Sequence, residues 1–277
     1  MEYSTGLTRR LGRPVVLAQH CEVSALSAGG YMHEGEWSSR LGIPGQPAEA
    51  EELMVMRDIA LVRLTGARMH FQHLSTASSV AMVRRAKAAG LPVTAEATTH
   101  HFTLTDAACA SYDPVFKVHP PLRTDSDIAA VRAGLADGTV DAVATDHAPH
   151  APHAKEQTFD EAPPGMLGLE TAFALTLGES GLDLPEVLAV LSWRPAAIAG
   201  IADRHGAVVV PGAPANLCVV DPDETWTVSG AAMASRSHNT PYEGRTLRGR
   251  VRHTVCLLYT SDAADDTPCV DLGGRRI

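Results

Sequence analysis

The feature that most constrains the fold is an alternation of short apolar segments with amphipathic ones, in which apolar segments end in histidine or aspartate. The apolar segments predict five β-strands, at residues 15–18, 68–74, 91–97, 116–118 and 140–144. Such an alternation is typical of parallel strands joined by crossover helices. Because five units do not close an eight-stranded barrel, the sequence predicts either an open sheet or an incomplete barrel.

The longest of the predicted helices covers residues 48–64. Its apolar side chains recur at helical spacing, which predicts an outer helix with one apolar stripe. The members of this stripe are Leu53, Met56, Ile59, Ala60 and Leu64.

The pattern changes after residue 204. Residues 205–255 contain short apolar segments separated by proline, glycine and aspartate, which predicts antiparallel strands of a small β-sandwich domain. We therefore expect a partial barrel with the active site over residues 1–204 and part of a small β domain over residues 205–255. Residues 256–277 fit no strand or helix pattern and resemble translated sequencing adapter, so we expect a non-native tail there.

Composition limits the partners of the protein. The 277-residue chain has a net charge of −9 and no cluster of lysine or arginine that would bind an acidic surface. No apolar run reaches the roughly 20 residues of a membrane span. The five cysteines are odd in number and include no CxxC pair, as is typical of reduced thiols. We expect a cytoplasmic protein with a small-molecule substrate and with no nucleic-acid or membrane partner.

Three residues at the ends of predicted strands have the chemistry of metal ligands, namely His20, His73 and Asp146. Imidazole and carboxylate groups hold Zn²⁺ in catalytic sites while leaving a position for water. A single histidine in such a place is more often a hydrogen-bonded structural residue, but three ligands at strand ends in register favour a metal site. The adjacent His100 and His101 cannot both face one metal ion, so we expect them either to be structural or to support a metal ligand by a hydrogen bond.

Eight short motifs occur in the order found in class I dihydroorotases of the amidohydrolase superfamily, which the chain resembles over roughly residues 1–255. The motifs are QHCE at 19–22, MHEG at 32–35, HLST at 73–76, TAE at 94–96 with THH at 99–101, KVHPPLR at 117–123, ATDHAPH at 144–150, GMLGLET at 165–171 and SRSHNTP at 235–241. Hydantoinase, dihydropyrimidinase and allantoinase are relatives of the same family.

The resemblance implies a (β/α)8 TIM-type barrel that binds two Zn²⁺. It also implies the reversible cyclisation of N-carbamoyl-L-aspartate to L-dihydroorotate in pyrimidine biosynthesis. By motif, His20 and His73 correspond to ligands of the second zinc. Asp146 corresponds to a ligand of the first zinc and to the general acid and base, which takes a proton from the attacking water and returns it to the leaving nitrogen.

The same resemblance implies four substrate-binding residues. His150 corresponds to a hydrogen-bond donor to the substrate carboxylate, and Pro164 and Gly165 to residues that line the ring. His119 stands where the family usually has asparagine, and it can still donate to a carbonyl. Thr99 stands where the family usually has proline.

Other family residues lie upstream of the motif that contains His20. They are a His-x-His pair on the first strand, a bridging carboxylate or carbamylated lysine, and a substrate-binding arginine and asparagine. We therefore expect the chain to be a fragment of a longer enzyme and to be inactive alone. The alternatives are another cyclic amidohydrolase, such as a hydantoinase, dihydropyrimidinase or allantoinase, and a noncatalytic dihydroorotase-like partner of aspartate transcarbamoylase. A homodimer also stays open.

Overall fold

The structure is a computed structural model that describes residues 1, 5–6, 8, 10, 15–203, 205–206, 209–213 and 215–255. Eight strands lie in these residues: β1 (Val16–His20), β2 (Met32–His33), β3 (Gly45–Gln46), β4 (Arg68–Gln72), β5 (Val93–Thr98), β6 (Ala142–Ala144), β7 (Leu217–Thr227) and β8 (Thr246–Val255).

Nine α-helices accompany these strands in the described residues: α1 (Ser24–Ser27), α2 (Glu36–Leu41), α3 (Glu49–Thr65), α4 (Ala77–Ala88), α5 (Asp125–Ala136), α6 (Pro152–Lys155), α7 (Ala172–Glu179), α8 (Leu184–Leu188) and α9 (Arg194–Ala199). Short 3₁₀ segments cover Thr99–Phe102, Asp106–Ser111, Pro114–Phe116 and Gly230–Ala232, and one π-helical turn covers Ala189–Trp193. Among the described residues, no helix is both long and apolar enough to span a bilayer.

A parallel sheet in the order β1, β4, β5, β6 forms the centre of the fold. In its register His20 lies opposite Gln72, and Thr98 lies opposite Ala144. Because all four strands are parallel, their carboxyl ends meet at one edge of the sheet. The predicted α/β fold of parallel strands with crossover helices is confirmed.

Helix α3 covers one face of this sheet. Val55 and Val62 are buried against Phe71 of β4 in one apolar cluster. The helix ends at Thr65, and Gly66 after it takes a left-handed conformation with φ 66°, which glycine adopts without a Cβ clash.

The outer helix predicted at residues 48–64 is present as α3, but most of the apolar residues that predicted it do not face inward. Leu53, Met56 and Leu64 are 43%, 53% and 78% exposed. The inward face instead includes the buried carboxylates of Glu51 and Asp58. Because two of the inward-facing residues are charged, the spacing of the apolar residues alone does not identify the inward face.

The predicted strand at residues 116–118 is also wrong. The segment leaves the 3₁₀ turn Pro114–Phe116, and Asp113 starts this turn by accepting a hydrogen bond from the Val115 N–H at 2.9 Å. Two prolines follow at 120 and 121, and proline has no N–H to donate to a sheet ladder. The described part of the chain therefore has four strands in its parallel sheet, not five.

Strands β7 and β8 form an antiparallel pair that packs on α7. Buried Leu175 of α7 meets Val228, Tyr242 and Leu247 in one cluster. The expected domain boundary at residue 204 and the expected tail at residues 256–277 lie outside the described residues.

Candidate active site

A cleft of about 620 Å³ opens where the parallel strands end. Strand ends and the loops after them supply its polar lining, and β6, the π-helical turn at Ala189–Trp193 and the start of α9 supply apolar groups. The lining residues are Gln72, His73, Glu96, Val143, Ala144, Thr145, Asp146, His147, Leu191 and Pro195. Two of the three predicted metal ligands, His73 and Asp146, therefore line one cleft.

His20 and His73 face each other across the ends of β1 and β4. The Nδ1 atom of His20 lies 3.0 Å from the Nε2 atom of His73, and the two rings meet edge to face with centroids 4.8 Å apart. A tetrahedral Zn²⁺ holding two imidazole nitrogens at about 2.0–2.1 Å would place them roughly 3.3 Å apart. The two donor atoms therefore fit one metal ion with little movement.

Glu22 sets the orientation of the His20 ring. The Nε2 atom of His20 lies 2.8 Å from Oε2 of Glu22, and because a carboxylate only accepts, Nε2 carries the hydrogen. The lone pair of Nδ1 is then free to face a metal ion. Ser27 donates to the other Glu22 oxygen. Burial raises the pKa of Glu22, but the hydrogen bonds from His20 and Ser27 bring it below its usual value.

His73 is buried at the base of the site, with 8% of its surface exposed. Burial and the neighbouring His20 lower the pKa of His73, which keeps its imidazole neutral near pH 7. The backbone of His73 has φ 34°, and that of Asp146 has φ 43°. Non-glycine residues rarely adopt this left-handed region, and those that do cluster at functional sites.

Asp146 follows β6 on a loop that other residues anchor. The Nδ1 atom of His147 accepts hydrogen bonds from the N–H groups of Gly168 at 3.1 Å and Leu169 at 3.3 Å. Burial lowers the pKa of His147, so its ring stays neutral and able to accept. A Cβ at Gly168 would lie 2.5 Å from the carbonyl oxygen of Thr145, so this close approach requires glycine.

Asp146 does not join the two histidines as a third ligand. Within the described ranges, no three His, Cys, Asp or Glu side chains cluster closely enough to hold one metal ion. This is compatible with the expectation that Asp146 binds a different zinc from His20 and His73.

The predicted substrate-binding residues His150, Pro164 and Gly165 lie together. The Nε2 atom of His150 donates to the carbonyl of Pro164 at 2.9 Å. The backbone N–H of His150 donates to Oδ1 of Asn239 at 3.1 Å. The amide of Asn239 donates to the carbonyls of Ala148 at 2.9 Å and Gly165 at 3.3 Å. Asn239 thus fastens the loop after Asp146 to the Pro164 segment.

His150 borders a neighbouring pocket of about 280 Å³ and not the cleft that His73 and Asp146 line. The pocket carries groups of both signs, and its lining residues are Asp113, Val115, His150, Pro152, Lys155, Glu156, His238, Asn239 and Thr240. Lys155 donates to two backbone carbonyls there, and its burial, with the charge of Lys117, lowers its pKa to about 8.

His119 lies on the side of His20. Its Nε2 atom lies 3.0 Å from the side-chain nitrogen of Gln46, which also donates to the carbonyl of Gly30 at 2.8 Å. Because the amide nitrogen of Gln46 only donates, Nε2 of His119 accepts. Burial lowers the pKa of His119.

The surroundings of His100 and His101 are compatible with the expected structural or ligand-supporting role. Both are fully buried within the fold, and His101 bonds Thr98 at 2.7 Å and the carbonyl of Pro120 at 2.9 Å. Burial lowers the pKa of His100 to about 3.

Three contributors to the site carried no assigned role at the sequence level: Glu22, His147 and Asn239. Each belongs to one of the motifs, and Glu22 follows His20 by two residues, which was an available signal. Asn239 lies 91 residues from Ala148, so its part in the loop could be seen only in three dimensions.

A parallel α/β sheet with histidines and an aspartate at its carboxyl edge is typical of metal-dependent hydrolases. The chain belongs to the amidohydrolase family, whose family model matches residues 25–275. This family is generally metal-dependent.

Two sequence relatives and one solved structure define the similarity further. The chain is 49% identical over 259 residues to a dihydroorotase of Mycobacterium leprae, covering 92% of this chain and 59% of that protein. It is 51% identical over 243 residues to a dihydroorotase of Streptomyces coelicolor, covering 86% of this chain and 56% of that protein. An L-hydantoinase (dihydropyrimidinase) from Arthrobacter aurescens has the same fold, with TM-score 0.78 and 24% identity over 90% of this chain and 57% of that one. The chain thus spans less than two thirds of the length of these relatives.

Proposed function

We propose that the protein is a zinc-dependent dihydroorotase, which interconverts L-dihydroorotate and N-carbamoyl-L-aspartate. The observation that carries this proposal is the 3.0 Å approach of His20 Nδ1 and His73 Nε2 at adjacent strand ends. The sequence identity of about 50% to each of two dihydroorotases supports this choice within the amidohydrolase family.

His20 and His73 would hold one zinc ion, and Asp146 would contribute to a second. When bound, zinc polarises a carbonyl and makes a water more acidic. Asp146 takes the proton of the water that attacks the ring carbonyl, and it returns this proton to the ring nitrogen as the carbon–nitrogen bond breaks. In the reverse direction Asp146 removes a proton from the carbamoyl nitrogen as it attacks the side-chain carboxyl carbon, and it gives this proton to the carboxyl oxygen that leaves as water.

Substrate recognition is proposed for the loops on the other side of Asp146. His150, whose Nε2 donates to the Pro164 carbonyl in this structure, would exchange that bond for one to the carboxylate of dihydroorotate, and the backbone at Pro164 and Gly165 would line the ring. The hydrogen bonds through Asn239 support this arrangement because they hold His150 and Gly165 on one frame. His119 contacts a substrate carbonyl from the side of His20.

We further propose the domain division expected from the sequence, with the partial barrel over residues 1–204 and the small β domain over residues 205–255. A cytoplasmic location is supported by Cys21, Cys109 and Cys218, which are all free thiols. Zinc as the metal and two ions per complete protein are part of the same proposal. In the part of the chain that the structure describes, no specific surface supports association with a second copy or with aspartate transcarbamoylase.

The test is a comparison of substrates. Both the 277-residue chain and the complete reading frame that encodes it are loaded with Zn²⁺ and assayed on L-dihydroorotate, dihydrouracil and hydantoin. We expect the complete protein to prefer dihydroorotate, to lose activity with a chelator and to regain it with Zn²⁺. A preference for hydantoin or dihydrouracil would overturn the assignment in favour of another cyclic amidohydrolase, and a metal-loaded complete protein without turnover would favour a noncatalytic role.

A further inference from the structure

A buried carboxylate that the proposed mechanism does not use lies behind His73. Glu51 stands in the first turn of α3 and has only 2% of its surface exposed. A carboxylate is costly to bury unless hydrogen bonds or a counter-charge compensate it. The partners of Glu51 therefore indicate its role.

Among the described residues, the hydrogen bonds to the Glu51 carboxylate come from Ser75 and Thr76, the two residues that follow Leu74. The N–H of Ser75 lies 3.1 Å from both carboxylate oxygens, and the N–H of Thr76 lies 3.2 Å from one. The hydroxyl of Ser75 also donates to Glu51, and that of Thr76 lies 3.3 Å away. One side chain thus fixes both peptide units at the start of α4.

This fixation acts on a strained segment. His73 has φ 34°, a conformation that a residue with a Cβ keeps only when its surroundings hold it. Before His73, strand β4 ends at Gln72 and is held in the sheet. Directly after His73, the N–H of Leu74 donates to the carbonyl of Glu96 at 2.9 Å. The bonds from Ser75 and Thr76 to Glu51 hold the next two residues, so the backbone at His73 is kept from moving to a more common φ.

Arg123 balances the charge and extends the network. It is 3% exposed, and its Nε donates to the hydroxyl of Ser75 at 3.1 Å. One terminal nitrogen lies 3.0 Å from Nδ1 of His33 and 3.2 Å from the carbonyl of Gln46. Burial and the charge of Arg123 lower the pKa of His33, so that ring accepts as a neutral group. The Glu51 charge is therefore neither isolated nor solvated.

We propose that Glu51 is a positioning residue for the candidate metal site: by clamping Ser75 and Thr76, it holds the left-handed backbone of His73 and aims its Nε2 at His20. The claim that Glu51 supports a metal ligand rests on the proposed function. The claim that Glu51 holds the backbone of His73 applies to the protein without metal and does not depend on that function.

The test compares Glu51→Gln with Glu49→Gln in the 277-residue chain. Both variants remove one acidic group from the first turn of α3, but Glu49 is exposed and has no part in the clamp. In Glu51→Gln, the side-chain NH2 group replaces one carboxylate oxygen and cannot accept from the N–H and hydroxyl groups of Ser75 and Thr76, so part of the clamp is lost. The direct readout is NMR of His73 without metal, because its Cα and Cβ shifts and its amide-to-α-proton coupling report φ.

We expect the His73 signals to move toward ordinary backbone values in Glu51→Gln and to stay unchanged in Glu49→Gln, with Glu51→Asp restoring them in part. If Glu51→Gln fails to fold, Ser75→Ala takes its place, with exposed Ser78→Ala as its control, and the same shift is expected to be smaller. Unchanged His73 signals in a folded Glu51→Gln or Ser75→Ala variant would overturn the proposal.

A second readout uses Co²⁺ as the probe. We expect Glu51→Gln to weaken Co²⁺ binding by about 10- to 100-fold, the range typical when a group that orients a ligand is lost, and to change the visible absorption of the bound ion. Equal affinity and absorption in Glu51→Gln and Glu49→Gln would count against the positioning of the ligand. If the unsubstituted chain binds no Co²⁺, the metal part of the proposed function fails, and the His73 signals still decide the role of Glu51.

Discussion

His20 Nδ1 and His73 Nε2 lie 3.0 Å apart although 53 residues separate them in the chain. Adjacent parallel strands bring them together, because each histidine occupies the end of its strand or the first position beyond it. This relationship leads directly to a metal-binding prediction.

We expect His73→Ala to abolish detectable Zn²⁺ or Co²⁺ binding by the 277-residue chain. The loss should exceed the roughly 10- to 100-fold that follows removal of a group that only supports a ligand, because one of two donor atoms is gone. Elemental analysis after dialysis and Co²⁺ titration measure it, and exposed His153→Ala is the control. At most one metal ion per chain is expected, since Asp146 lies outside the histidine pair. Tight binding by His73→Ala would place the metal elsewhere.

Glu22→Gln tests whether the hydrogen bond to His20 matters for the metal. A glutamine amide can present either an acceptor or a donor to Nε2, so the tautomer of His20 is no longer fixed. Metal affinity should fall by about 10- to 100-fold, while the thermal midpoint stays close to that of exposed Glu34→Gln. Calorimetric titration with Zn²⁺ measures the affinity. The same affinity in both variants would contradict the orienting role of Glu22.

The sequence predicted the positions of His20, His73 and Asp146 because strand ends are local features, marked by the change from apolar to titratable residues. The inward face of α3 could not be predicted in the same way. There Glu51 is buried, and its partners Ser75 and Thr76 lie 24 and 25 residues away. A glutamate in the first turn of a helix ordinarily indicates solvent exposure and a favourable helix dipole. Only the tertiary contacts distinguish a clamp from a surface charge.

The strand predicted at residues 116–118 fails for the opposite reason. Its apolar residues do pack inward, with Val118 1% exposed in a cluster with Met166. However, the N–H of Gly165 donates to the carbonyl of Lys117 at 2.8 Å, so within the described ranges this segment bonds to a loop and pairs with no strand. An apolar segment therefore predicts that its residues are buried. It does not predict strand pairing, because pairing depends on a partner strand elsewhere in the sequence.

His100 predicts an acid sensitivity of the fold. Its folded-state pKa is about 3, against 6.5 for an ordinary histidine, so between these pH values only the unfolded chain takes up the proton. The free energy of unfolding should therefore fall as pH is lowered from about 6.5 to about 3, by up to about 1.4 kcal/mol per pH unit for this group. Urea unfolding at several pH values measures this, and His100→Gln should show a shallower slope. Exposed His153→Gln should follow the parent, and an unchanged slope in His100→Gln would show that His100 is not the group responsible.

Asp146→Asn tests the proton transfer in a form of the protein that turns over L-dihydroorotate. Asparagine preserves the shape of the side chain but cannot take a proton, and loss of a general base typically costs about 10²- to 10⁴-fold in rate. Lost metal ligation would add to this. The measurement is kcat in both directions of the reaction, together with the metal content of each preparation. If Asp146→Asn retains more than a tenth of the parental kcat at equal metal content, another group carries the proton.

His150→Ala isolates recognition of the carboxylate in the same form of the protein. The substitution removes a hydrogen-bond donor near Pro164 without touching the histidine pair, so metal content should not change. If His150 reads the carboxylate, kcat/KM should fall for dihydroorotate and change much less for dihydrouracil, which has no carboxylate. His153→Ala, at an exposed site in α6 three residues further along, controls for general effects of losing a nearby histidine. An equal loss on both substrates would mean that His150 supports the loop through its bond to Pro164, and the preference for dihydroorotate over other cyclic amides would then need a different residue.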